Sequence, residues 1–128
     1  MKEHVRAVFA MEADASVTSL VVAAGLREQG RPAMWNALAN WPMQADLAAR
    51  FDTILNETSD VGLAASAAFV AWYDNGVRRD SYYVAVCSNY LDQIDREHLL
   101  PKYDNLSGAY FAELCRLPDG SPYECHGP

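Results

Sequence analysis

Along residues 60–100, apolar positions return every three or four residues. Tyr83, Val86, Cys87, Tyr90, Leu91, Ile94 and His98 fall on one helical face, and Leu63, Ala67, Val70 and Tyr73 keep the same interval upstream. The two stretches predict an αα-hairpin over about 60–100, the largest apolar unit in the chain. A β-hairpin turning at Asp74-Asn75-Gly76 is the rival for residues 69–86, since both flanking runs suit strands. Helices are preferred because the stripe to His98 is too long for a strand and the alanines of 64–71 are poor strand formers.

Upstream, residues 2–12 fit either a short helix (Val5, Val8, Phe9, Glu12) or a strand (Val5, Ala7, Phe9, Met11), and helix is favoured. Asp14 or Ser16 offers an N-cap for a second helix to about Gln29, with Val17, Leu20, Val21 and Ala24 inward. Gly30-Arg31-Pro32 stops it. Pro32 and Pro42 can each open a further helix, one striped by Trp35, Leu38 and Trp41, the other by Met43, Leu47, Phe51, Ile54 and Leu55. Ser59 or Asp60 caps the hairpin, and Leu100-Pro101 closes it. A last helix runs from about Asn105 or Ser107 to Arg116, with Leu106, Tyr110 and Leu114 inward, and a small β-hairpin over Tyr110–Cys125 is its alternative. The fold expected is mainly α, a compact bundle of five or six short helices around the hairpin, in one domain over 1–128.

Composition agrees with a globular chain. Of 128 residues 51% are hydrophobic, and the formal charge is −7. Scattered basic residues exclude a nucleic-acid or anionic-membrane surface, which needs clustered Lys and Arg. Three cysteines leave at least one unpaired within the chain. MKEHVRAVFAMEAD lacks the basic start and apolar run of a secretory signal, and no stretch looks long enough to cross a bilayer. A cytoplasmic location is therefore expected, although a Cys115–Cys125 disulfide tying down the tail stays open.

The candidate chemistry is thin. Asp92, Asp95 and His98 share a helical face, but a di-metal site needs a second such helix. Cys115, Cys125 and His126, with or without Cys87, match no paired zinc pattern. No nucleophile elbow or glycine-rich phosphate loop is present. Neither a cofactor nor a metal is expected.

Three Trp and seven Tyr are more than a core of this size needs, and such side chains anchor interfaces. The function expected is that of a small acidic protein, bacterial or phage by its Ala- and Arg-rich usage, which binds another protein. It would serve as an inhibitor, an immunity or anti-defence factor, or an adaptor. Trp72, Tyr73, Asp74, Asp80 and Tyr82, near the hairpin turn, are the predicted contact set. A sharper variant has the acidic surface imitate nucleic-acid phosphates toward a nucleic-acid-handling partner. The alternative is a small-molecule binder or minor enzyme with a pocket between helices, where Trp35, Trp41 or Trp72 would stack on the ligand. Monomer and homodimer both remain open, the latter through the small-residue face 64–71.

Overall fold

The computed structural model describes residues 2–97 and 108–125. Six helices follow in order: α1 Lys2–Glu28, α2 Ala33–Asn40, α3 Ala45–Thr58, α4 Val61–Asp74, α5 Gly76–Glu97 and α6 Gly108–Leu114. The architecture is the expected mainly-α bundle. The alternative β-hairpin at the C-terminus reduces to a single bridge between Arg116 and Pro122. The closing signal at Leu100-Pro101, the start of the last helix with Leu106, and the side chains of His98 and His126 lie outside the described residues.

The largest departure is α1, one helix of 27 residues where two were expected. No proline or paired glycine interrupts it, and its two candidate caps face tertiary partners instead. The Ser16 hydroxyl accepts from Gln44 Nε2 at 3.0 Å, and the Asp14 carboxylate accepts from the Tyr123 hydroxyl. Engaged outside the helix, neither side chain competes with its backbone ladder. Gly30, at φ +77°, ends the run, with Arg31 N–H closing back on the Leu26 carbonyl at 2.9 Å.

Length and composition alone make α1 long and apolar enough to cross a bilayer. In this fold, Ala10, Ala13, Val17, Leu20 and Ala23 give it a fully covered face. Against that face pack Ala64, Ala65, Ala68, Phe69 and Trp72 of α4, with Leu47, Ala48 and Phe51 of α3 completing the core. Methyl-sized side chains let the helix axes approach closely, and α3 and α4 form the most extensive pair. Asp60 caps α4, its Oδ1 accepting from Leu63 N–H at 3.0 Å. Arg27 fixes the end of α1 by a two-pronged ion pair to Asp52 (2.7 and 3.2 Å) while its guanidinium lies 4.0 Å over Trp35.

Candidate functional site

Asn75 is the single residue between α4 and α5. Its side-chain oxygen accepts from Arg78 N–H at 3.0 Å, so one asparagine both ends a helix and caps the next. This geometry turns Arg78 inward, and the side chain is only 1% exposed. Its guanidinium donates to the Trp72 carbonyl (2.9 Å), the Met43 carbonyl (3.0 Å) and the Asp46 carboxylate. The α5 start is thereby tied to the α2–α3 turn and the end of α4.

Around this knot lie the five residues predicted to meet a partner. Trp72 is buried, with ring contacts to Phe9 (5.3 Å), Tyr73 (5.2 Å) and Tyr82 (5.4 Å), and it serves packing rather than a contact surface. Tyr73 is half-buried against Phe9 and Phe69, and burial pushes its hydroxyl up to about 12. Tyr82 is half-buried as well, its hydroxyl raised first by burial and then by the Glu12 carboxylate. Asp74 and Asp80 are exposed. The set does gather at the α4–α5 junction, but its aromatic members face inward.

What the outward side of α5 carries was not part of that set. Val77 is 73% exposed, Val84 67%, and Tyr83 and Leu91 are more than half exposed. On an ideal helix, Val77, Val84 and Leu91 lie within roughly 40° of one another, on the side opposite Arg78, Tyr82, Val86 and Tyr90. The helical stripe read from sequence had mixed the two sides: Val86 and Tyr90 are buried, whereas Tyr83 and Leu91 are not. Arg78 had looked like half of a surface basic pair. Its burial left no sequence signal beyond the preceding Asn75-Gly76.

Two clefts open elsewhere. One, of about 400 Å³, lies between the C-terminal half of α1, the α3–α4 corner and the turn at Leu117 and Pro118, with an apolar floor of Val21, Val22 and Leu55. The other, of about 380 Å³, runs between α3 and α4 with Arg50 and Asp74 at its edge. None of the three tryptophans lines either cleft. Trp35 packs on Phe51, Trp41 is 52% exposed, and Trp72 is in the core.

Titratable groups cluster loosely on the first half of α1. Glu3 pairs with Arg6 (3.0 Å), and the His4 ring lies 5.3 Å from that of Tyr90, where burial lowers its pKa. Asp14, partly buried beneath the C-terminal segment, has its pKa raised by burial, against the opposing pull of the Tyr123 hydroxyl. A Cys115–Cys125 disulfide clasps that segment, the pairing that composition had left open, and Cys87 takes no part in it. Among the described residues, no three His, Cys, Asp or Glu side chains are grouped to hold a metal ion.

No curated protein and no solved structure gives a significant match to this chain. The profile of one family spans nearly all of it, covering residues 1–125, and the chain belongs to that family, DUF6782, described as "Putative metallopeptidase family".

Proposed function

We propose that this chain acts by binding a polypeptide and that the outer face of α5 is the docking surface. The supporting observation is a helix with two apolar sides, of which the fold covers one. Val77, Val84 and Leu91 recur at seven-residue intervals, the spacing along which a second helix packs. Asp80 and Asp92, both exposed, lie near this seam in a chain of net charge −7, so the partner that fits is an amphipathic helix with basic flanks. Inhibitor, immunity or anti-defence factor, and adaptor are all roles such a surface serves. The Cys115–Cys125 disulfide favours a compartment that keeps disulfides oxidised over the reducing one expected from composition.

A photo-crosslinking residue placed at Val84 tests the reading in a lysate of the native host. One captured protein is expected, retained when salt is raised because apolar contacts are weakly screened. Val84→Glu and Leu91→Glu should lose it while melting as the parent does. Capture unaffected by both changes would remove α5 from the reading, and loss of capture in salt alone would favour imitation of nucleic-acid charge.

The family description favours a second reading, metal-assisted peptide hydrolysis. Catalytic zinc takes about three protein ligands, commonly including two histidines one turn apart on a helix. His4, His98 and His126 supply no such pair. The donor set of this chain does not fit that metal, and no catalytic step is derived through it. Fragments released from an unfolded protein substrate by the purified chain, and abolished by a chelator, would move the conclusion to hydrolysis.

A further inference from the structure

The family's description and the residues of α1 disagree at one place that can be named. A zinc-peptidase helix carries H-E-x-x-H, so each candidate glutamate is judged by its neighbours one before and three after. Among the seven glutamates, Glu3 alone has both neighbours basic within one continuous helix: Lys2 before it and Arg6 after it. Arg6 lies one turn beyond Lys2, as the second histidine lies beyond the first. Neither side chain can replace an imidazole as donor. A guanidinium has no lone pair to give and stays protonated, and an ammonium is equally acceptor-free.

The structure goes further than the spelling. The Arg6 guanidinium reaches back one turn to both carboxylate oxygens of Glu3, at 3.0 and 3.3 Å, and the Glu3 side chain is largely covered. Where a metal centre would place a cation between two imidazoles, this helix carries its own cations and engages the carboxylate internally. Val5, on the same turn, is buried, and the His4 ring packs against Tyr90 of α5, so both residues between Glu3 and Arg6 contribute to packing.

We propose that the first two turns of α1 stand where a family metal site would stand and that Lys2 and Arg6 make this chain a metal-free member, its Glu3 held in an ion pair. The proposal is independent of the α5 docking surface: a metal-binding chain could still dock a partner there, and a metal-free one could fail to.

The test is zinc binding followed by calorimetry and by elemental analysis after dialysis, on the parent and on a Lys2→His, Arg6→His double variant. Circular dichroism melting confirms that both are folded. The parent should retain no stoichiometric zinc. The variant regains an i, i+4 histidine pair beside Glu3 and should bind zinc about tenfold more tightly than the parent, or better. A parent chain that keeps one zinc ion per molecule overturns the proposal, whatever the variant does. A folded variant no better than the parent also overturns it, because Lys2 and Arg6 are then not what keeps the metal out.

Discussion

At the scale of single residues, the fold leans on a few polar side chains whose environment sets their cost. Arg78 is buried with three acceptors, two of them backbone carbonyls that have no other described side-chain donor. Arg78→Met should cost about 3 kcal/mol, the usual scale for removing one member of a buried charged network, read from denaturant midpoints. Asp46→Ala should cost less, about 1–2 kcal/mol, because Asp46 is part-exposed and both carbonyls still hold the guanidinium. Equal losses would mean that the ion pair, not the carbonyl contacts, carries the knot. Asp14 gives a pH signature. Its pKa in the fold is raised, so the folded chain binds this proton more readily than the unfolded one, and the fold gains stability as pH falls from neutral toward the ordinary aspartate value. Asp14→Asn keeps an acceptor for Tyr123 and removes the charge. It should match or exceed the parent in Tm at pH 7, with the difference shrinking on acidification, whereas Asp14→Ala strands the buried Tyr123 hydroxyl at a cost of about 1–2 kcal/mol.

At the scale of elements, what could be read from sequence followed local chemistry. Gly30 with Pro32, the Asp60 cap and the periodicity of α3 and α4 are short-range signals, and each element ends within a few residues of where those signals place it. The fused α1 escaped because Asp14 and Ser16 look like caps until Tyr123 and Gln44, more than 25 positions away, engage their side chains. Trp72 and the inner face of α5 escaped for a related reason: aromatic abundance shows that large rings must be placed but not which way each turns. The turning is set at Asn75, through one backbone hydrogen bond to Arg78. The C-terminal segment shows the same dependence on distant contacts. Cys115 and Cys125 span a ten-residue separation and seat Tyr123 on Phe69 at 6.2 Å. Replacing both cysteines by serine should cost about 2–3 kcal/mol through the loosened unfolded chain. Amide exchange should then rise in 115–125 and along the Asp14 turn of α1, and a rise spread over all helices would show instead that the clasp supports the whole bundle.

At the scale of the molecule, α1 is the common wall, touching every other helix. A change that leaves this wall alone should leave stability alone. Val84→Glu on the outer face of α5 is therefore expected to shift Tm by no more than the half kilocalorie or so typical of surface substitutions, while abolishing partner capture. A large loss of Tm would show that the outer seam is covered within the molecule.

The alanine lining of α1, α3 and α4 has a thermodynamic consequence of its own. Burying Leu, Met or Phe freezes rotamers, whereas alanine has none to lose, so this interior is assembled at little side-chain entropy cost. It also gains less from leaving water, since each methyl hides little surface. A core of this composition trades strength of burial for ease of ordering, and its heat capacity of unfolding should fall below the usual value for 128 residues.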